Sequence, residues 1–331
     1  MEKSKIRFIG RHIEKEGKEY FSFSGCGFEF AIHSFYAKCL VTLSLESQTR
    51  DYEYQYIAIF INDELTSKER LKQGTNEIKL SLSNSIGRTI IRVIKLNEVY
   101  LSSIYLRNIS LSDATFDDLE PSKRKLIGFF GDSITCGFGN IDYQGQEFKM
   151  EKEDFTKSYA YLAASNLNMD YSVVARSGIA LSFPIYVDKL FNEIYDTVDM
   201  DELYQPERKL DYAVINLGTN DSNGIVQVTK EDEIKREYQL FKERYITLIQ
   251  RIIKDNPGVK IIMCYCMLPL KEIMIQTLKD IYQIISSKYE NKICLAEFVP
   301  NGDGACFHPY YTAHEEASKL LIKLIKELNS I

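Results

Sequence analysis

The sequence is notable first for what it lacks. Its 331 residues include no tryptophan, only four histidines and no apolar run long enough to span a bilayer. We therefore expect no membrane segment. Residues 1–7 are polar and basic with no apolar stretch behind them, so we also expect no signal peptide. The net charge of −6 argues against nucleic acid as a partner.

The cysteines also exclude some classes of protein. Seven are present, an odd number without the spacing of a disulfide framework. Cys264 and Cys266 lie two residues apart, but no second pair completes a metal-ligand set. The sequence therefore predicts reduced thiols, a cytoplasmic location, and neither a metal nor a cofactor.

The first third of the chain has the pattern of an all-β domain. Short segments alternate apolar and polar residues, and turn residues separate them. They are residues 20–24, 27–31, 39–45, 54–61, 77–82, 88–94 and 103–107. Strands of this length and number predict an antiparallel β-sandwich, a jelly roll, over residues 1–118.

After a polar linker at 113–125, the pattern changes to strands that alternate with longer helical periods. The predicted strands are 125–130, 171–175, 211–217, 259–265 and 292–297. The predicted helices are 155–167, 232–254, 271–288 and 313–329. This alternation predicts an α/β domain with a parallel sheet over residues 119–331. Ligand sites in such sheets lie beyond the carboxyl ends of the strands.

The stretch after the first of these strands has the pattern of a nucleophile turn. An apolar run ends at Phe130, Gly131 and Asp132 break it, and Ser133 follows where a helix can begin. A serine on such a turn is exposed and rigid, and backbone N–H groups at the helix start can face a developing oxyanion. Gly-Asp-Ser is also an ordinary turn sequence, so this motif alone does not decide the question.

A serine nucleophile needs a base, and only a few histidines are available. His12 and His33 lie in the predicted sandwich, and His314 falls in the first turn of the last helix, where we expect it at the surface. His308 lies in a glycine-containing loop after the last strand and is the candidate general base.

Several strand-end motifs together resemble one family. Gly131-Asp132-Ser133-Ile134, Gly178, Gly218-Thr219-Asn220-Asp221 and His308-Pro309 resemble, in order and spacing, the four signature blocks of the SGNH or GDSL hydrolases. The resemblance implies a flavodoxin-like α/β/α fold. Residues 133–140 and 215–221 further resemble carbohydrate esterase family two, acetyl xylan esterases whose N-terminal domain is a jelly roll. Residues 7–11 and 22–30 resemble the opening of that domain.

The resemblance implies a role for each motif residue. Ser133 would be the nucleophile and His308 the base. The backbone N–H groups of Ser133 and Gly178, with the side-chain amide of Asn220, would form the oxyanion hole.

The sequence departs from the superfamily in the loop of the base. The Asp that usually stands three residues before the histidine is replaced by Ala305. Asp303 is the nearest acid and a candidate third triad member. A backbone carbonyl is the alternative partner of His308, and we favour this dyad.

Substrate contacts are predicted for Asp221 and for three aromatic residues, Phe183, Tyr204 and Phe307. The aromatic residues are chosen because a chain without tryptophan must stack sugars on Tyr or Phe. The function implied is deacetylation of xylan- or mannan-type carbohydrate. Two alternatives stay open: an acyl-esterase or lipase-like hydrolase of a non-carbohydrate ester, and an inactive carbohydrate-binding protein. The sequence leaves the oligomeric state open.

Overall fold

The structure, a computed structural model, describes residues 2–50, 52–83, 86–289 and 292–329. The chain forms two compact units. The N-terminal unit runs to Lys123 and includes Val198–Tyr204; the C-terminal unit comprises Arg124–Thr197 and the chain from Gln205 onward. The sequence predicted a single domain boundary at 118/119, which places Val198–Tyr204 in the second domain, whereas the structure places this segment in the first unit.

The N-terminal unit contains two antiparallel sheets. Its strands are β1 (Ile6–Ile9), β2 (Ile13–Lys15), β3 (Lys18–Phe21), β4 (Gly27–Ser34), β5 (Lys38–Thr49), β6 (Tyr54–Ile61), β7 (Glu64–Lys72), β8 (Gly74–Ser83), β9 (Gly87–Lys95), β10 (Ser102–Ser112) and β11 (Ala114–Asp117). One sheet has the order β1-β4-β9-β6-β7, with β11 also paired to β4, and the other has the order β2-β3-β10-β5-β8.

Alternation of side chains explains these sheets. In β5 every second residue from Cys39 to Leu45 is buried, and the strand pairs with β10 on one side and β8 on the other. A period of two places one set of side chains in the core and the other towards solvent. The antiparallel prediction is therefore confirmed for this part of the chain, whereas the jelly-roll connectivity stays a prediction.

The C-terminal unit is built on one parallel sheet. Its strands are β12 (Leu126–Gly131), β13 (Asp170–Ala175), β14 (Tyr212–Asn216), β15 (Lys260–Tyr265) and β16 (Ile293–Glu297). They lie in the order β13-β12-β14-β15-β16, which is the flavodoxin-like order. All five predicted strands are confirmed, each within two residues.

The helices of this unit include the four that were predicted and three shorter ones. They are α1 (Ser133–Cys136), α2 (Tyr159–Asn166), α3 (Phe191–Ile194), α4 (Thr219–Ile225), α5 (Glu231–Asp255), α6 (Glu272–Ser286) and α7 (Tyr311–Asn329). Short 3₁₀ turns occur at Lys3–Lys5, Met150–Lys152, Phe155–Lys157 and Ala305–Phe307. Among the described residues, no helix is both long and apolar enough to cross a membrane. All seven cysteines are free thiols.

Candidate functional site

The candidate nucleophile lies at the carboxyl end of the central strand β12. Asp132 caps α1 by accepting a hydrogen bond from the Ile134 N–H at 3.0 Å, and Ser133 is the first helical residue. The N–H of a first helical residue has no acceptor within its own helix. The local sequence therefore presents a serine hydroxyl and a backbone donor at the same point.

His308 lies against this serine. Its Nε2 is 2.9 Å from Ser133 Oγ, and its Nδ1 is 3.1 Å from the Cys306 carbonyl oxygen. Because a carbonyl can only accept, Nδ1 carries the proton of the neutral ring, and Nε2 is left to accept from the serine hydroxyl. Two residues that are 175 positions apart in the sequence thus form a hydrogen-bonded pair in the tautomer that general-base catalysis needs.

The backbone before His308 adopts an unusual conformation. Cys306 and Phe307 are consecutive non-glycine residues with φ of +52° and +60°. Left-handed conformations cost L-residues about 1–2 kcal/mol each. This turn brings the Cys306 carbonyl against the imidazole, a role that no side-chain pattern in the sequence could reveal.

Asp303 lies elsewhere in the same loop. Its exposed carboxylate accepts a hydrogen bond from the Asn301 amide at 2.6 Å, and its N–H donates to the Asn301 side-chain oxygen at 3.2 Å. The partner of His308 Nδ1 is the Cys306 carbonyl. The structure does not bring Asp303 together with the imidazole.

Ala305 stands where the superfamily has its acid, and it is completely buried. Its N–H donates to the Gly139 carbonyl at 3.1 Å, and a Cβ placed on Gly139 would lie 2.9 Å from that of Ala305. The loop of the base therefore rests directly on the loop that follows α1, and this close contact favours a small residue at 305.

Replacing Ala305 with Asp is consequently expected not to supply a working triad acid. Overpacking a tight contact costs typically 1–3 kcal/mol, and an unpaired buried carboxylate adds to that cost. We expect a lower melting temperature and hydrolysis of p-nitrophenyl acetate no faster than by the unaltered chain. A gain in kcat without a loss of stability would show that the position accepts an acid.

Three residues were predicted to form an oxyanion hole, and all belong to the C-terminal unit. Gly178 has φ of +77°, and a Cβ there would lie 2.7 Å from the Cβ of Tyr186, so only glycine fits without strain. The Asn220 amide nitrogen donates to the Ile179 carbonyl at 2.9 Å and lies 3.5 Å from an Asp132 carboxylate oxygen. Asn220 thus links the turn at 178–179 to the cap of α1.

The structure corrects the expectation that Asp221 contacts substrate. The side chain is completely buried, and its carboxylate accepts hydrogen bonds from the N–H groups of Leu181, Ser182 and Phe183 and from the Ser182 hydroxyl, at 2.7–3.2 Å. Burial raises the pKa of this carboxyl above its ordinary value, and the hydrogen bonds from these donors offset only part of that rise. Asp221 organises the loop at 181–183 from beneath.

The three predicted aromatic contacts have different surroundings. Phe307 is 65% exposed beside His308. Phe183 is half-buried and lies over Gly224 of α4, where a Cβ would come within 2.4 Å of its ring. Tyr204 belongs to the N-terminal unit, where it packs on the cluster of Tyr20, Tyr105 and Val198.

His314 was expected at the surface, and that expectation is wrong. The residue is completely buried in the first turn of α7, and its Nδ1 accepts a hydrogen bond from the Tyr159 N–H at 3.2 Å. The sequence position suggested exposure, but the helix turns this face towards the N-terminus of α2.

The fold and this pair define a structural class: a flavodoxin-like α/β domain with a Ser–His pair at the carboxyl edge of its sheet. Residues 129–287 match the model of the GDSL-like lipase/acylhydrolase family. The match covers just under half of the chain, and all of it except Val198–Tyr204 lies in the C-terminal unit.

Comparisons with individual proteins show which esterases the chain resembles in sequence and in fold. The cellulase/esterase CelE of Acetivibrio thermocellus is 34% identical over 156 residues, which cover 44% of this chain but only 17% of that protein. A family two carbohydrate esterase from Clostridium thermocellum, solved with cellohexaose, has a TM-score of 0.86 at 20% identity and covers 97% of this chain and 98% of its own. An acetyl xylan esterase from the rumen bacterium Butyrivibrio proteoclasticus has a TM-score of 0.84 at 20% identity, over 99% and 96% of the two chains. Both units thus share the fold of these esterases.

Proposed function

We propose that this protein is a serine esterase that removes O-acetyl groups from xylan- or mannan-type carbohydrate through an acyl-enzyme on Ser133. The observation that carries the proposal is the 2.9 Å contact between Ser133 Oγ and His308 Nε2, with the other ring nitrogen held by a carbonyl. A hydroxyl becomes an effective nucleophile only when a base lies within hydrogen-bond reach.

In the first step, Ser133 Oγ attacks the acetyl carbonyl carbon while His308 Nε2 takes the hydroxyl proton. The carbonyl π electrons move to oxygen and give a tetrahedral oxyanion. The proposed donors to that oxyanion are the N–H groups of Ser133 and Gly178, together with the Asn220 amide hydrogen that does not bond to the Ile179 carbonyl. Loss of one such donor costs about 3–4 kcal/mol of transition-state stabilisation in serine hydrolases.

In the second step, the bond between the carbonyl carbon and the sugar oxygen breaks, and His308 gives its proton to the leaving hydroxyl. Acetyl-Ser133 remains. Water then attacks the ester with His308 again as the base, and collapse of the second tetrahedral intermediate releases acetate and restores the serine. The atoms and protons balance without a cofactor.

The base in this mechanism is one member of a dyad. Its imidazolium is stabilised by the Cys306 carbonyl, which accepts the Nδ1 proton. Asp303 is satisfied by Asn301. A carbonyl fixes the tautomer as a carboxylate would, but it supplies a dipole where a triad acid supplies a full charge.

The choice of a carbohydrate ester is supported by two kinds of observation. Phe307 is 65% exposed next to the base, and an exposed aromatic face can stack on a sugar ring. The structural relatives include an acetyl xylan esterase and an esterase bound to cellohexaose. Phe183 remains a candidate contributor to substrate binding.

The pH dependence follows from the state of His308. Burial of the ring lowers its pKa below the ordinary 6.5, and this effect outweighs the hydrogen bonds to the Cys306 and Ala305 backbone, which raise it. Only the neutral ring can accept the serine proton, so activity is lost as the pH falls through this lowered pKa. We expect kcat/KM for p-nitrophenyl acetate to rise with a midpoint below 6.5 and to stay flat through neutral pH. A midpoint clearly above 6.5 would contradict this assignment of the base.

The substrate class is tested by measuring acetate released from acetylated xylan, acetylated mannan and acetylated monosaccharides, beside p-nitrophenyl esters of increasing chain length. We expect acetyl esters to be preferred and acetylated carbohydrate to be hydrolysed. Equal or faster hydrolysis of octanoyl esters would favour the lipase-like alternative. Carbohydrate binding without hydrolysis of any ester would favour the inactive binding protein.

A further inference from the structure

The buried His314 joins the element that carries His308 to the start of α2. Its Nδ1 accepts the Tyr159 N–H at 3.2 Å, and since a backbone N–H can only donate, the neutral ring carries its proton on Nε2. His314 lies six residues after His308 on the same continuous segment, in the first turn of α7, and its Nε2 has no hydrogen-bond partner among the described residues. Burial lowers the pKa of His314 to about 3, so the ring stays neutral at ordinary pH.

Tyr159 continues this connection to the nucleophile turn. Its hydroxyl lies 2.7 Å from Thr135 Oγ1, two residues after Ser133, and its ring is nearly parallel to that of His314, with 6.1 Å between centroids. The neighbouring Ser158 hydroxyl donates to the Thr135 carbonyl at 2.8 Å. Thr135, Tyr159 and His314 are all completely buried.

We propose that His314 and Tyr159 are positioning residues that hold His308 in register with Ser133, acting where this chain lacks a triad carboxylate. The proposal rests on the esterase function proposed above. Neither residue is proposed to touch substrate; both act through the spacing of the dyad. Displacing a catalytic group by about 1 Å can cost on the order of 100-fold in rate, so a buried brace between the two elements has a measurable consequence.

Backbone hydrogen bonds also join the loop that carries His308 to the loop that follows α1. These bonds do not involve the side chains of His314 or Tyr159, so they would survive changes to either residue. The Ala305 N–H donates to the Gly139 carbonyl at 3.1 Å, and the Tyr311 N–H donates to the Asn140 carbonyl at 2.8 Å. Variants of His314 should therefore keep the loop attached to the α1 turn while loosening the orientation of the imidazole.

The experiment compares His314→Asn with His314→Leu. Asparagine has an oxygen on Cγ, where histidine has Nδ1, so it can still accept from the Tyr159 N–H; leucine has a similar size and no acceptor. With p-nitrophenyl acetate we expect the leucine variant to lose at least about tenfold in kcat with KM within about twofold, and the asparagine variant to stay within about threefold of the unaltered chain. Tyr159→Phe, which removes only the hydroxyl contact to Thr135, should also lower kcat rather than raise KM.

A second readout does not depend on activity. In protein labelled with ¹⁵N-histidine, His308 should show the Nδ1–H tautomer in the unaltered chain and in His314→Asn, and a mixture of tautomers in His314→Leu. Full activity and an unchanged His308 tautomer in His314→Leu would overturn the brace. Equal losses of activity in the leucine and asparagine variants, with equal losses in melting temperature, would also overturn it in favour of a purely structural role. If the unaltered chain hydrolyses no ester, the proposed function fails, and the tautomer measurement still decides whether the brace exists.

Discussion

Replacing Ser133 with Ala is expected to abolish ester hydrolysis, with a loss on the order of 10⁴- to 10⁶-fold in kcat. The change removes the hydroxyl oxygen that lies 2.9 Å from His308 Nε2, which is the nucleophile in the proposed mechanism. The fold should persist, because the substitution deletes one atom and one hydrogen bond, worth about 1 kcal/mol. Kinetics with p-nitrophenyl acetate and a thermal melt measure both properties.

Ser287→Ala provides the matched control for this change. Ser287 is exposed at the end of α6, and its hydroxyl donates to the Ile284 carbonyl at 2.8 Å. That variant should retain full activity. Near-normal turnover in a folded Ser133→Ala protein would remove Ser133 from the mechanism.

The second large expected effect is the difference in kcat between the His308→Ala and Asp303→Asn variants. His308→Ala should lose several orders of magnitude in kcat, because it removes the base whose Nε2 lies 2.9 Å from Ser133 Oγ. Asp303→Asn should stay within about tenfold, since its carboxylate bonds to Asn301 and the imidazole bonds to Cys306. Where a triad aspartate is essential, the same Asp→Asn change costs about 10⁴-fold.

Both variants are measured with the same substrate and compared by thermal melt. Asp303→Asn keeps the size of the side chain, so it tests the charge with little change in packing. If Asp303→Asn were as damaging as His308→Ala in a folded protein, Asp303 would be a third triad member and the dyad would be wrong.

The parallel sheet of the C-terminal unit could be predicted from the sequence because its strands are apolar runs and its main helices are long and amphipathic. The edge strand β7 was missed for the opposite reason: in Glu64–Lys72 only Leu71 is buried, so the segment shows no apolar face. The return of Val198–Tyr204 to the N-terminal unit was also missed. It depends on packing against Tyr20 and Tyr105, which are far away in the sequence.

In the candidate site, motif spacing identified the residues that carry chemistry but not their supporting contacts. Ser133 follows the end of β12 and His308 lies in the loop between β16 and α7, and both are on the side of the sheet where the carboxyl ends of the strands meet. The carbonyl of Cys306 holds the imidazole through a backbone conformation, which leaves no side-chain signal. Asp221 and His314 are polar residues, for which the sequence predicted positions in contact with substrate and at the surface. In the structure both are buried, where each accepts a hydrogen bond from a backbone N–H, that of Ser182 for Asp221 and that of Tyr159 for His314.

The central claim is that Ser133 carries the acyl group during turnover. Rapid acid quenching during hydrolysis of p-nitrophenyl acetate, followed by peptide mass spectrometry, measures this directly. We predict one added acetyl group on the peptide that contains Ser133, and none in the Ser133→Ala variant. An acetyl group found on another residue, or active turnover through quench times that trap no acetyl on Ser133, would contradict the acyl-enzyme mechanism.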